Sequence, residues 1–313
     1  MSEVLRPGAS VRVRVPASSA NLGPGFDSVG CALGVWDECT ATVTAGPGLV
    51  IEVEGEGAGA VPLDESHLVH RAMRTAWAEA GVEPAPGLSL RCRNAVPHGR
   101  GMGSSATAIV TGIVAALALV RASAGEADGV VDLDAANSLA ARLEGHPDNA
   151  SASIYGGVTL SWTSPDDATT TVRLPVHPQV EPVVFAPEAQ LSTARARSVL
   201  PQQVRLADAA ANSARAALLA HAVGSAPEHL VEATRDWLHQ EARRPSYPES
   251  MALVDALRAD GHAAAISGAG PSVLVLALRD RVPEVLGHAP AGWRVHTPGI
   301  PDTGACVTVL ATR

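Results

Sequence analysis

Gly99-Arg100-Gly101-Met102-Gly103 runs straight into Ser104-Ser105 and then into an apolar segment over residues 106–120. Glycine at every second position lets the backbone turn tightly and come close to a ligand. A helix starting there presents unpaired N–H groups and the positive end of its dipole, which together attract an anion. Successive amides in such a turn can form a nest around phosphate, and a serine hydroxyl can ligate Mg²⁺. The same residues also suit a flexible turn that merely caps a core helix. The GxGxG spacing departs from the dinucleotide pattern GxGxxG, and no acidic residue follows at the ribose-binding distance.

A second cluster is Glu144-Gly145-His146-Pro147-Asp148-Asn149. Asp148 can serve as a general base, Asn149 can orient a hydroxyl, and Glu144 can hold Mg²⁺. A helix C-terminus with Gly145 left-handed and Asp-Asn as turn formers explains it equally well. Ser267-Gly268-Ala269-Gly270-Pro271-Ser272 links two apolar runs, either as a hairpin or as a loop that admits a ligand. Arg195, Arg197, Arg243 and Arg244 suit carboxylate or phosphate capture, or simply a charged surface. His67 and His70 stand i, i+3 without HExxH or a third ligand, so a zinc site is not expected.

Composition narrows the chemistry. The 313 residues contain 23 Lys+Arg, and every one is arginine. Walker-type phosphate loops, protein kinases and Schiff-base enzymes all need a lysine, so those classes are excluded. Net charge is −9 with no basic cluster, and five Trp, two Tyr and two Phe are the only aromatics. Nucleic acid is therefore not an expected partner. Cys31, Cys39, Cys92 and Cys306 fall in no metal spacing and read as reduced, mostly buried thiols of a cytoplasmic protein. Residues 1–10 are too short and polar for a signal peptide. Segment 106–120 is shorter than the ~20 residues of a membrane span and reads as a buried helix.

These residues need elements to hold them. Alternation predicts strands over 11–15, 40–44, 49–54 and 88–92, with Gly46-Pro47-Gly48 turning between the second and third. A Gly/Pro/Ser-rich loop is expected over 16–27. Helical spacing covers 66–80, then 106–120, then a helix from the N-cap Asp132 to Gly145. Further strands are expected at 158–162, 170–174, 182–185, 263–266, 273–277 and 306–310, and helices at 202–221, 228–241 and 249–259. Strands and helices mingle with short connections, which favours an α+β sandwich over a βαβ array. Ser164-Pro165-Asp166-Asp167 is the boundary candidate, giving domains 1–164 and 165–313.

Three segments in this order resemble the signatures of the GHMP kinase superfamily, the small-molecule kinases named for galactose, homoserine, mevalonate and phosphomevalonate. They are Pro16-x-Ser18-x-Ala20-Asn21-Leu22-Gly23-Pro24-Gly25-Phe26-Asp27, the glycine loop up to Ala106, and Ile266 to Ser272. Within the superfamily, the first of these followed by Glu-Gly-His-Pro-Asp-Asn is similar to the homoserine kinase branch. Ser192-Thr193 to Arg197 and His239-Gln240 to Arg243 fit the same branch.

The resemblance implies a two-domain GHMP kinase fold: an N-terminal ribosomal-S5-like α/β sandwich that binds ATP and a C-terminal ferredoxin-like domain. It implies MgATP-dependent phosphorylation of the L-homoserine hydroxyl, in a possible homodimer, with no membrane partner. Pro97, His98, Gly99, Arg100, Gly101, Met102, Gly103, Ser104, Ser105 and Ala106 would wrap ATP. Ser105 and Glu144 would ligate Mg²⁺. Asn21, Asp27, His146, Asn149, Arg197 and Arg243 would surround the amino acid, with Thr193 near the transferred phosphate and Asp148 and Asn149 at the reacting hydroxyl. His67 stands where many relatives have Asn near the base, and an offset of one would exchange Arg243 for Arg244. Either Asp148 takes the hydroxyl proton or no protein base is used. A sibling kinase acting on mevalonate or a sugar, a serine hydrolase built on Ser104 or Ser105, and a non-catalytic binding protein are the rival readings.

Overall fold

The structure, a computed structural model, describes residues 5–126 and 129–310, so residues 1–4 of the polar opening segment lie outside it. β1 (Ser10–Ala20) starts with the expected alternation: Val11, Val13 and Val15 are buried, Arg12 and Arg14 exposed. It then continues through Pro16–Ala20, where a loop was expected, because both faces are now covered by protein and periodicity disappears. The pairing with β2 (Val29–Val43) slips between Pro16 and Ala17, an irregularity that accommodates the missing proline N–H.

Among the described residues the first sheet has seven strands. β1 lies between β2 and the returning β11 (Cys306–Leu310), and β2 pairs with β4 (Gly87–Asn94). β3 (Gly48–Gly55) is parallel to β4, so residues 46–48 turn the chain without making a β2–β3 hairpin. β5 (Val158–Thr163) pairs with β2 and with β6 (Thr169–Leu174). Residues 164–165 therefore lie in a hairpin inside the first sheet, and the chain changes sheets only between Leu174 and β7 (Val180–Ala186). The return of β11 adds a segment from the far end of the chain to this sheet. A Ser-Pro-Asp-Asp turn looks the same whether it joins domains or strands.

Helices α1 (Leu68–Glu79), α2 (Ser104–Ala124), α3 (Leu133–Glu144) and α4 (Asp148–Tyr155) share a core with this sheet. α2, at 21 residues, is long and apolar enough to cross a membrane, longer than its sequence pattern suggested. It is packed inside the protein instead, with 67% of its most apolar window buried. Gly112 lets α1 approach, since a Cβ there would lie 2.3 Å from the Val69 carbonyl oxygen, and the buried Trp77 indole donates to the Ala116 carbonyl. α3 has the predicted cap: Asp132 accepts from Asp134 and Ala135 N–H, and Gly145 ends it left-handed.

The second sheet has the order β10-β7-β9-β8, with β8 (Ala264–Ile266), β9 (Val273–Leu278) and β10 (Arg294–His296). Helices α5 (Thr193–Ser198), α6 (Leu206–Gly224), α7 (Leu230–Ala233), α8 (Gln240–Arg243) and α9 (Pro248–Ala259) lie between β7 and β8, and α10 (Val282–Leu286) between β9 and β10. This is a β-α-β-β-α-β order, as a ferredoxin-like domain requires. The helix expected over 228–241 breaks at Arg235–His239, where the Asp236 carboxylate takes the N–H groups of Leu238, His239 and Gln240. Both faces of this sheet are buried. Val183 and Phe185 face a core with α9, while Val184 and Ala186 join a core that includes Ala17, Leu22, Leu33 and Met102 of the first domain.

α4 is seated tightly against β2: a Cβ on Gly30 would lie 2.0 Å from the Asp148 carbonyl oxygen. Gly30→Ala is expected to destabilise the protein by roughly 2 kcal/mol, the usual scale for overpacking. Urea denaturation checks this, and unchanged stability would mean that α4 moves freely off the sheet.

Candidate active site

Four loops meet where the two domains touch. Residues 21–28 follow β1, the glycine loop precedes α2, residues 145–149 lead into α4, and residues 267–272 join β8 to β9. Gly101 packs so closely on the last of these that a Cβ would lie 2.2 Å from the Ser267 carbonyl oxygen. The Ser267 hydroxyl donates to the Gly101 carbonyl at 2.6 Å and lies 2.8 Å from the Ser19 hydroxyl. Gly268 N–H donates to the Ala20 carbonyl, and Ser18 N–H to the Met102 carbonyl.

Two adjoining cavities result, both reaching Ser104 and Ser105. The first, about 230 Å³, is polar: Asn21, Asp27, Glu144, His146, Asp148, Asn149, Thr193, Arg197 and Arg243 line it with Gly99, Gly101 and Gly103. The second, about 280 Å³, is walled by Cys39, Val61, Pro62, Leu68, Val69, Cys92 and Ala108, with His67, His98 and Asp37 as polar members. Burial pushes Asp37 up to about 6, although it accepts from Ala95 and Val96 N–H at the entrance to the glycine loop. His67 Nδ1 is buried without a partner among the described residues, and burial lowers His67 and so favours the neutral ring.

α2 begins at Ser104 with Gly103 left-handed at its N-cap (φ 73°) and no side chain capping it. Ser104 and Ser105, the first residues of this uncapped end, line both cavities, which suits an anion. Glycine is required at 103 because a Cβ would lie 2.3 Å from Ser18 Oγ. Within the predicted loop only backbone and serines reach the polar cavity. Met102 is fully buried in a core, Ala106 is fully buried, and Arg100 spends its guanidinium on the carbonyls of His98, Pro187 and Glu188.

Ser105 Oγ donates to Glu144 Oε2 at 2.9 Å. Burial raises Glu144, with Asp148 adding to it against His146, Ser105 and Arg197. Ser153 donates to Ser18, and Ser18 to Asn149 Oδ1, leaving the Asn149 Nδ2 amide with no protein partner among the described residues. Asp148 Oδ1 accepts from Asn149 N–H at 2.7 Å and lies 2.8 Å from His146 Nδ1. Burial lowers His146, but the bond to Asp148 and the charges of Asp148 and Glu144 outweigh it, so its pKa is raised.

Asp27 and Arg197 form a two-pronged pair at 2.6 and 3.1 Å. Asn21 lines the cavity with both ends of its amide engaged: its Oδ1 accepts from Asp27 N–H and its Nδ2 donates to the Gly268 carbonyl. It shapes the loop, in which Asn21, Leu22 and Asp27 all have positive φ, a concentration of backbone strain common at functional sites. Arg243 lines the cavity, whereas Arg244 pairs with Glu241 and Asp255 on the surface. Thr193 is exposed at the first residue of α5, on the cavity rim. Ser18, quoted only within the first signature, and Ser153 and Asp37, which the sequence did not single out, brace the site; the signal of the latter two was buried polarity, which only the fold displays.

Residues 67–157 match the model of the GHMP kinases N terminal domain, and residues 214–294 that of GHMP kinases C terminal. A homoserine kinase of Streptomyces coelicolor is 48% identical over 97% of this chain and 96% of its own length. The chain belongs to the homoserine kinase family. A relative of that name from Cutibacterium acnes is 46% identical over 92% of this chain and 95% of its own. The crystal structure of homoserine kinase from Cytophaga hutchinsonii shares the fold, with a TM-score of 0.82 at 24% identity over 95% of this chain and 97% of that one. The family resemblance and the two-domain α+β expectation thus hold, and as a homoserine kinase family member the chain is a phosphotransferase with ATP as a substrate.

The raised His146 carries a sign. Its bond to Asp148 contributes stability below the ordinary histidine value of ~6.5 and loses it as pH rises through the folded value. In EDTA-treated protein, NMR titration of the His146 ring should give a midpoint above 6.5, and Asp148→Asn should bring it below. A midpoint indifferent to Asp148 would remove the ion-pair account.

Proposed function

We propose that this chain transfers the γ-phosphoryl group of MgATP to the side-chain hydroxyl of L-homoserine, giving O-phospho-L-homoserine and ADP. One observation carries the reading: an uncapped helix N-terminus lies between an apolar cavity and a cavity charged like the mirror of an amino acid. The nucleotide base fits the apolar cavity, where the orphaned His67 Nδ1 offers it a hydrogen bond. The phosphates fit the amides of residues 99–105.

In the polar cavity Asp27 suits an ammonium, and Arg197 and Arg243 suit an α-carboxylate. Asp27 and Arg197 already hold each other. An amino-acid zwitterion carries both complementary charges, so it can exchange that one ion pair for two. Mevalonate, which has a carboxylate and no ammonium, would leave Asp27 without a cation.

Ser105 Oγ and Glu144 Oε2, 2.9 Å apart, are hard oxygen donors that fit Mg²⁺, and a cation there would relieve the buried Glu144 carboxylate. Bound at these residues, Mg²⁺ supplies charge neutralisation for the phosphoryl oxygens. Asn149 directs its free Nδ2 amide from the buried α4 N-terminus and orients the acceptor hydroxyl. Asp148 holds His146 beside it and, by raising it, favours the cationic ring near the phosphoryl group. Phosphoryl transfer gains chiefly from positioning and charge stabilisation, so the hydroxyl proton can leave on the transferred phosphate without a protein base.

ADP release with MgATP and L-homoserine, L-serine, mevalonate or galactose tests the reading: homoserine should give the highest kcat/KM, and parity among the four would sink it. Asp148→Asn should lower kcat by less than about 100-fold, since a true general base contributes roughly 10²–10⁴-fold. A larger loss with both substrate affinities intact would identify Asp148 as the base. Glu144→Gln should raise the Mg²⁺ concentration needed for half-maximal rate, measured at fixed ATP.

A further inference from the structure

Arg243 is only 2% exposed, an unusual place for a long cationic side chain. Its Nε donates to the Ala196 carbonyl at 3.0 Å, and its Nη1 faces His239 Nδ1 at 3.2 Å and the Gly268 carbonyl at 3.5 Å. Nη2 has no protein partner among the described residues and remains as the donor for the polar cavity. All three partners are neutral, whereas Arg197 nearby is paired with the Asp27 carboxylate.

The imidazole that meets Arg243 is fixed on every side. Its Nε2 lies 2.9 Å from the Gly23 carbonyl, its ring stacks on Phe26 at 5.2 Å, and its backbone N–H is held by the buried Asp236. Arg197 and Arg243 both lie 5.8 Å from the centre of that same Phe26 ring. The Gly23 carbonyl can only accept, so Nε2 carries the proton; Arg243 can only donate, so Nδ1 carries the lone pair. Both bonds are made by one form alone, the neutral Nε2–H tautomer. Burial lowers His239 toward that form, with Arg243 adding to it against Asp236, Gly23 and Asp27.

Resting on the amino-acid acceptor read above, we propose that His239, clamped between the Gly23 carbonyl and Asp236, is a positioning residue that aims Arg243 at the acceptor carboxylate. It touches no substrate and does not line the polar cavity. By offering Arg243 a neutral acceptor it leaves the guanidinium without a carboxylate hydrogen-bond partner among the described residues, so that role is open to the substrate. Among the described residues Arg243 makes no ion pair with Asp27, whose one such partner is Arg197. A carboxylate in its place would form a buried ion pair and compete with the acceptor for the same guanidinium.

The test compares His239→Ala with His239→Asn, whose Oδ1 can replace the Nδ1 acceptor, on L-homoserine and on 3-aminopropan-1-ol, the same amino alcohol without the carboxylate. His239→Ala should raise KM for homoserine roughly 10–100-fold, the range of a charge-assisted hydrogen bond, with kcat and the KM for ATP nearly unchanged. His239→Asn should recover most of that loss. With 3-aminopropan-1-ol both variants should match the unmutated enzyme. Equal losses on both acceptors, or a parallel rise in the ATP KM, would overturn the proposal in favour of a merely structural histidine. Should His239→Ala not fold, His239→Asn and ¹⁵N NMR of the unmutated protein decide. A neutral Nε2–H ring at pH 7 supports the assignment, and an Nδ1–H ring overturns it. An unmutated enzyme inactive on homoserine would count against the substrate reading instead, and the NMR result would still stand.

Discussion

The Ser267 hydroxyl on the Gly101 carbonyl, at 2.6 Å, joins a loop of one sheet to a loop of the other. Around it the two domains share a core, into which Met102 drops the only large side chain of the glycine loop's centre. That anchoring explains how so many glycines hold one shape. Gly101 and Gly103 leave no room for a Cβ, so their neighbours confine a backbone that would otherwise be free. An anion-binding turn of amides costs little to bind when its ordering is already done by packing.

The polar cavity follows from the same seam. Asn21 and Arg243 both reach the Gly268 carbonyl, and Gln240 accepts from Ile266 N–H at 2.6 Å. One short turn of helix, α8, thereby ties the strained loop at 21–27 to the loop at 267–272. Serine and asparagine side chains in this region act on each other before they act on any ligand. Removing one of them would leave partners unsatisfied in a buried setting, which is why such networks resist piecemeal change.

How much was legible depends on what each residue faces. The glycine loop, the Glu144–Asn149 segment and the paired arginines were readable because unusual residue types stood at tight spacing. The Asp132 cap and Gly145 stop of α3 were readable because capping is local chemistry. α4 was invisible: seven of its eight residues are buried, so Ser151 and Ser153 alternate with alanines without any polar face. The second half of β1 was hidden for the same reason. The break at Arg235–His239 depended on Asp236 capturing three amides, and a helical spacing of apolar residues does not reveal that competition. The pairing of β6 with β5 across residues 164–168 was not readable because sheet membership is a long-range property.

β11 pairs along β1 from Ser10↔Leu310 to Arg14↔Cys306. The partners are almost the whole chain apart, so closing this edge involves one of the largest loops the molecule can form. During synthesis β1, β2 and β4 emerge early, yet the outer edge of β1 stays bare until residue 310 has left the ribosome. The second sheet, whose strands lie between β6 and β11, can be made while that edge waits. Nascent chains stalled before residue 306 would therefore carry a first core that lacks Val307 and Val309, with an open strand edge. An unpaired edge of this kind is a template for pairing with other chains.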